Sequence, residues 1–373
     1  MNIGYEAKRI FHNRTGLGNY GRDLVRALSE YHPENRYYLY NPKPAESRLF
    51  QADRGNVFER LPRRYSDRIF HNLWRQRTVL HDLKRDGIEL YHGLSGELPM
   101  GLSAYPIKSV VTIHDLIFVR YPQLYTLIDR TIYFRKFRHA AHHADHIIAI
   151  SEQTKRDVME FLKVDEAKIS VVYQGCHPAF KQRYTEAEKQ AAKAKYGLPD
   201  DFILNVGTIE ARKNALSIVK AIEHIDIPLV IIGRETPYLD EIKDYIGKRG
   251  MAHRILFVHG ATLDDLAKLY QSALLFIYPS FFEGFGIPII EALYSGVPVI
   301  TSDTGCFPEA GGPHSKYVAP DDVAGLQGAI GELLADGQQR NLMVDAGFAY
   351  ARRFDDNSIA DELASLYKTV LVR

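Results

Sequence analysis

At 373 residues the chain exceeds one ordinary domain and is expected to form two, each able to bury its own core. Its 46% hydrophobic and 25% charged residues exclude a disordered or fibrous chain. No run approaches the roughly 20 apolar residues of a membrane span, and the opening MNIGYEAKRIF lacks the apolar core of a signal peptide, so a cytoplasmic protein is expected. The net charge of +1 hides an asymmetry: residues 1–180 hold 27 Lys and Arg against 20 Asp and Glu, whereas residues 181–373 hold 20 against 26. An anionic partner or surface therefore belongs with the first half. Cys176 and Cys306 have no metal-ligand spacing and read as packing residues rather than a disulfide framework.

Short Val/Ile-rich runs alternate with longer amphipathic segments, the pattern of parallel sheets covered by helices. In the first half residues 2–6, 88–92, 108–113, 146–150 and 169–172 read as strands, and residues 19–31, 127–143 and 152–162 as helices, the last capped by Ser151. The segment RTGLGNYG, 14–21, is a glycine-rich turn opening the first helix. Gly16, Gly18 and Gly21 match a dinucleotide fingerprint in spacing, but the later strand-like RYYLYN ends in Asn41 rather than a ribose-binding acid. Gly16 and Gly18 thus serve either a ligand or only the turn.

The stretch from Arg54 to Arg85 carries nine Lys and Arg against three acids, interleaved with Tyr65, Ile69, Phe70, Leu73 and Trp74. It reads either as a helix packing its apolar side in the core or as a surface for an anionic bilayer. No nucleic-acid-binding motif accompanies the charge, so nucleic acid is not expected. His114 and Asp115 follow a strand directly and stand at its carboxyl end, where a histidine either binds a hydroxyl or is satisfied by loop carbonyls.

A break near 175–178, followed by a charged helical piece, marks the boundary between domains. The second half starts afresh with strands at 202–206, 229–232, 255–258, 274–278 and 297–300. After the first of these, GTIEARKN (207–214) sets Arg212 and Lys213 side by side at a helix start, a place unfavourable for cations unless an anion joins them. Further on, EGFGIPIIE places Glu283 and Glu291 around Gly284, Phe285 and Gly286, with Pro288 in the first turn of a helix. Such a helix start, flanked by acids, suits a hydroxyl-rich or phosphorylated ligand; the bland alternative is a tight turn whose acids complement the helix dipole. No histidine or acid spacing implies a metal.

Taken together, TGLGNY, TIHDL, ISEQTKRD, VGTIEARKN, IIGRETP and PSFFEGFGIPIIEALYSGVPVITSD resemble glycosyltransferase family 4, spread in order over most of the chain. The resemblance implies an α/β GT-B fold: two Rossmann-like doubly wound domains with a cleft between them, 1–175 on the acceptor side and 176–353 on the donor side, with 354–373 a helix packing back on the first. It implies a retaining, metal-independent glycosyltransferase without cofactor, whose donor is a nucleotide sugar.

By the same resemblance Arg212 and Lys213 bind the donor diphosphate, Glu283 and amides around Gly284, Phe285 and Gly286 hold the sugar, and Glu291 holds the ribose. Gly207, Gly16 and Gly18 let loops approach the donor, and His114 touches the transferred sugar. The bacterial mannosyltransferase branch is the nearest in motif, pointing to GDP-mannose, to a glycan or lipid-linked acceptor in lipopolysaccharide or exopolysaccharide assembly, and to peripheral membrane contact through Arg54 to Arg85. A nucleotide-sugar 2-epimerase of the same fold and a non-catalytic nucleotide-sugar-binding protein are the alternatives. Ala211, Gln174 and Tyr294 depart from the common pattern without removing a charge. Glu283→Gln is expected to lower turnover with little loss of stability.

Overall fold

The computed structural model describes residues 1–45 and 49–373. The chain divides into two compact units, Met1–Gly175 together with Phe354–Arg373, and Cys176–Arg353. Each is built on one wholly parallel sheet.

The first sheet comprises β1 (Asn2–Glu6), β2 (Arg36–Tyr40), β3 (Val57–Arg60), β4 (Leu90–Gly93), β5 (Lys108–Ile113), β6 (His146–Ala149) and β7 (Ile169–Val171). Its strand order is β3-β2-β1-β4-β5-β6-β7. The second comprises β8 (Ile203–Val206), β9 (Leu229–Ile232), β10 (Ile255–Val258), β11 (Leu275–Tyr278), β12 (Val299–Ser302) and β13 (Lys316–Val318), in the order β10-β9-β8-β11-β12-β13. Both orders reverse beside their first strand, between β1 and β4 and between β8 and β11, and the loops leaving those strands are where such folds hold ligands.

Central strands such as β8, β9 and β11 are mostly apolar runs, buried on both faces. Alternate residues of β2 part accordingly: Tyr37 and Leu39 pack with the helices Gly16–Tyr31 and Asp356–Val372, while Tyr38 and Tyr40 pack with Trp74, Val79 and Leu83. The second unit has its own core around Ile203, Leu229, Ile231, Leu275, Ile277 and Ile300.

Several boundaries differ from the sequence reading. The helix expected from residue 19 begins at Gly16, so Gly16 and Gly18 are helical residues and not a turn ahead of it. The strand expected at 297–300 is Val299–Ser302, since Pro298 has no amide hydrogen to give the ladder. β3 and β13 were not anticipated; both are short edge strands. β3 lies inside the basic stretch, which is therefore a strand followed by a helical run, with Trp74 fully buried but Tyr65 79% and Phe70 61% exposed. Ser151 caps Glu152–Leu162, its Oγ accepting from the Thr154 amide at 3.0 Å.

Candidate functional site in the second unit

Because β8 and β11 are neighbours in register, the loops leaving them meet. Gly207 follows β8 directly at φ +148°, a conformation glycine favours, and a Cβ there would lie 3.0 Å from Lys213 Cδ. Gly207 therefore makes room for the lysine stem. The chain then makes a short turn, Ala211–Lys213, and enters Asn214 at φ +59°. The Asn214 amide donates to Pro279 O at 3.1 Å and Pro320 O at 2.6 Å, clasping the loop after β11.

Glu283 sits at the focus. Its Oε1 lies 2.8 Å from Arg212 Nη1 and 2.9 Å from Lys213 Nζ. The same oxygen accepts from Tyr278 Oη at 2.9 Å and Ser280 Oγ at 3.0 Å. Lys213 Nζ also donates to Tyr278 Oη at 2.6 Å. Arg212 is held from behind, donating to the Phe282 carbonyl and pairing with Glu210 at 2.6 Å. All the contacts that bind Glu283 to the two cations thus fall on one oxygen.

The Glu283 side chain is only 14% exposed. Burial would raise its carboxyl, but Lys213 and Arg212 outweigh burial and hold it at about 2. Burial would lower the Arg212 guanidinium, and Glu283 more than reverses this. Burial and the Glu283 charge push the Tyr278 hydroxyl well up, so it stays a neutral donor. Burial, then the Glu283 charge, raise the Cys306 thiol, whose Sγ lies 3.2 Å from the Glu283 carbonyl oxygen; it packs and does not ionise.

Beyond Glu283, Gly284, Phe285 and Gly286 are buried. Gly286 takes φ +108° as the N-cap of helix Ile287–Ser295, with Pro288 in its first turn. Glu291, one turn into that helix, accepts from Tyr270 Oη at 3.1 Å. Sequence reading had named Arg212, Lys213, Glu283 and Glu291 but missed Tyr278, Ser280 and Asn214. Tyr278 is the last residue of a strand whose end carries the site, and that position was the available signal.

His114, Gly16 and Gly18 belong to the first unit. Both His114 ring nitrogens are engaged there: Nε2 lies 2.8 Å from Leu94 O and Nδ1 lies 3.1 Å from Gln174 Nε2. A carbonyl can only accept and an amide nitrogen only donate, which fixes the ring as neutral with its proton on Nε2. Burial lowers His114 to about 4, against the raising effect of Leu94 O. A Cβ on Gly18 would lie 2.0 Å from Asn13 O, whereas one on Gly16 would meet nothing within 4 Å. Among the described residues no group of three or more His, Cys, Asp or Glu side chains is arranged to hold a metal ion.

Residues 14–180 match the family described as Glycosyltransferase Family 4, and residues 187–349 match the one described as Glycosyl transferases group 1. The chain belongs to glycosyltransferase family 4. This family 4 enzyme, a retaining glycosyltransferase, is 27% identical to O-antigen chain mannosyltransferase B of Escherichia coli, over 99% of this chain and 100% of that protein. In fold it is similar to sucrose-phosphate synthase from Thermosynechococcus elongatus, with TM-score 0.77 and 20% identity over 100% and 99% of the two chains. It is likewise similar to Anabaena Alr3699/HepE solved in complex with UDP-glucose, with TM-score 0.76 and 15% identity over 99% and 100%. These likenesses identify the two parallel sheets as the GT-B fold.

Proposed function

We propose that this glycosyltransferase moves mannose from GDP-mannose to a glycan or lipid-linked glycan acceptor in lipopolysaccharide or exopolysaccharide assembly. The observation that carries the donor half is the convergence of Arg212, Lys213 and Glu283 at the β8/β11 switch point. Two cations are held by Glu283 and Glu210 in a balanced cluster at the strand ends, pre-positioned side by side for the two phosphates of a donor. In this reading Arg212 and Lys213 take the diphosphate and meet the charge that develops on it, the part a bound metal plays elsewhere. Glu283 holds sugar hydroxyls together with amides near Gly284, Phe285 and Gly286, and Glu291 holds the ribose. Gly207, Gly16 and Gly18 allow close approach of backbone to the donor. His114, locked as a neutral ring, contributes as a fixed polar surface beside the sugar rather than as an acid or base.

The chemistry is a substitution on one face of the sugar. The bond from the anomeric carbon to phosphate oxygen breaks, the bond to the acceptor oxygen forms on the same side, and the acceptor proton passes to the departing phosphate oxygen. No enzymic nucleophile is needed, so catalysis rests on positioning and on charge stabilisation. Residues 1–175 serve the acceptor, 176–353 the donor, and 354–373 complete the first domain. Mannose is favoured by the likeness to an O-antigen mannosyltransferase. UDP-sugars are the second reading, favoured by the fold likeness to a protein solved with UDP-glucose. Peripheral membrane contact through Arg54 to Arg85 is supported by the exposure of Tyr65 and Phe70 beside Arg63, Arg64 and Arg68.

A thermal-shift panel of GDP, UDP and ADP, followed by product analysis of the stabilising donor with and without acceptor glycans, tests the reading. Preferential stabilisation by GDP and mannosyl transfer only with acceptor are expected. Release of an altered free sugar without acceptor would identify an epimerase, and binding without any product a silent binding protein.

A further inference from the structure

Helix Leu127–His143 and the helical run from Tyr65 to Arg85 lie on one face of the first sheet. Trp74, Val79 and Leu83 of the run pack on Tyr38, Tyr40 and Tyr91, and Ala140 and Ala141 of the helix pack on Val111, Ile113 and Ile147. The register sets Tyr91 opposite Ser109 and Val111 opposite Ile147, so these inward residues share a face by the alternation of side chains. Glu97 joins the two segments, pairing with Arg75 at 2.9 Å and with Lys136 at 3.3 Å.

The outer side of helix Leu127–His143 is unusual for a water-soluble surface. At its start Leu127 is 74% and Ile128 73% exposed, and Leu124, Tyr125 and Ile132 are exposed beside them. A groove runs along it, lined mainly by Phe118, Leu127, Arg130, Thr131, Phe134 and Arg135. Among the described residues neither arginine side chain has a hydrogen bond or an ion pair, and Arg130 Nε is buried without a partner. Isolated apolar residues on a surface are ordinary, but a contiguous patch rimmed by cations that lack counter-charges needs an occupant. That occupant must offer hydrocarbon and negative charge within a few ångströms of each other. An anionic lipid does so.

We propose that this face docks on an anionic bilayer, with Leu127 and Ile128 entering the boundary of the hydrocarbon and Arg130 and Arg135 taking a lipid phosphate at the groove. The exposed Tyr65 and Phe70 of the neighbouring run extend the docking plane. The inference deepens the lipid-linked acceptor of the proposed function and rests on it for its purpose, but it is read by binding alone.

The test is flotation of the full-length protein with vesicles of phosphatidylcholine alone or with about a third phosphatidylglycerol, at low and high salt. Binding is expected only with the anionic lipid, and it weakens as salt rises. Leu127→Ser combined with Ile128→Ser lowers the partition at least about tenfold, and Arg130→Gln combined with Arg135→Gln removes the preference for phosphatidylglycerol. Hydrogen-exchange protection within residues 1–175 stays as in the unaltered protein in both variants, which shows that the unit carrying the changes folds. Unchanged flotation of either variant overturns the proposal. So does light scattering that shows a dimer broken by the Leu127 and Ile128 changes without any effect on vesicles, or protection of the arginine pair by inorganic phosphate with no vesicle binding. Anionic-lipid flotation without any nucleotide-dependent stabilisation would instead leave docking standing and remove the donor reading.

Discussion

Glu283 has a part in the fold beside the one proposed for it at the donor, because it is the shared counter-charge of Arg212 and Lys213. Replacing it with glutamine leaves Lys213 without its anion and Arg212 with Glu210 alone, so a loss of stability is expected beside the loss of turnover. Its carboxyl lies at about 2 in the folded protein, below the unfolded value of about 4.5. The stabilisation is therefore complete above about pH 4.5 and is lost as pH falls from there through about 2, for a total of at most about 3 kcal/mol. Urea melts of the unaltered protein and of Glu283→Gln should differ most near pH 7 and draw together as pH falls from about 4.5 toward about 2. A gap that stays constant with pH would show that the carboxylate is not ionised by its cation partners.

Lys213→Ala is the gentler probe of the same cluster, since Arg212 still neutralises Glu283. The affinity for a nucleoside diphosphate should fall by about 2 kcal/mol, roughly thirtyfold, in calorimetry, while the melting temperature changes little. Equal affinity would take Lys213 out of the donor site.

At the scale of elements, helix Gly16–Tyr31 separates two glycines that look alike in sequence. Gly18→Ala sets a Cβ against Asn13 O and must displace the segment before the helix, so a clear loss of melting temperature is expected. Gly16→Ala meets open space in a helical position and should hold or raise stability by up to about 1 kcal/mol. If Gly16 lies beside the donor, that variant loses kcat/KM without losing stability; full activity would reduce Gly16 to a helix residue.

This contrast also shows what the sequence could carry. The apolar runs of central strands such as Ile203–Val206 and Leu229–Ile232 were legible because burial on both faces leaves no polar alternation to confuse with a helix. β3 and β13 were not, because VFER ends in two charged residues and KYV is too short to form an apolar run, whereas the edge strand β10 is wholly apolar. The cations and acids of the second unit were legible as charges out of place at a helix start. Their pairing on one Glu283 oxygen was not, because it follows from β8 and β11 being neighbours, which local pattern does not encode.

For the whole molecule, the C-terminal helix decides how the two units depend on the chain. Asp356–Val372 lies far from Met1 in sequence yet buries Ala360, Leu363, Ala364, Tyr367 and Val370 in the core of the first unit. Its polar ties are equally specific. Tyr367 Oη lies 2.7 Å from His92 Nδ1, whose Nε2 lies 2.7 Å from Thr112 Oγ1, and Asp356 pairs with Arg26 at 2.8 Å. Removing residues 354–373 would uncover this apolar face and leave His92, buried and lowered to about 3 by burial and then by His114, without one partner. The loss is comparable to the whole margin of a typical domain, about 5–15 kcal/mol, since each large buried side chain contributes about 1.5–3 kcal/mol. The second unit keeps its own core around Ile203, Leu229 and Ile277. Hydrogen exchange on a chain ending at Arg353 should therefore show protection lost throughout residues 1–175 and retained in 203–333. Loss of protection in both units together would mean that they fold as one cooperative body and that the C-terminal helix stabilises the whole chain.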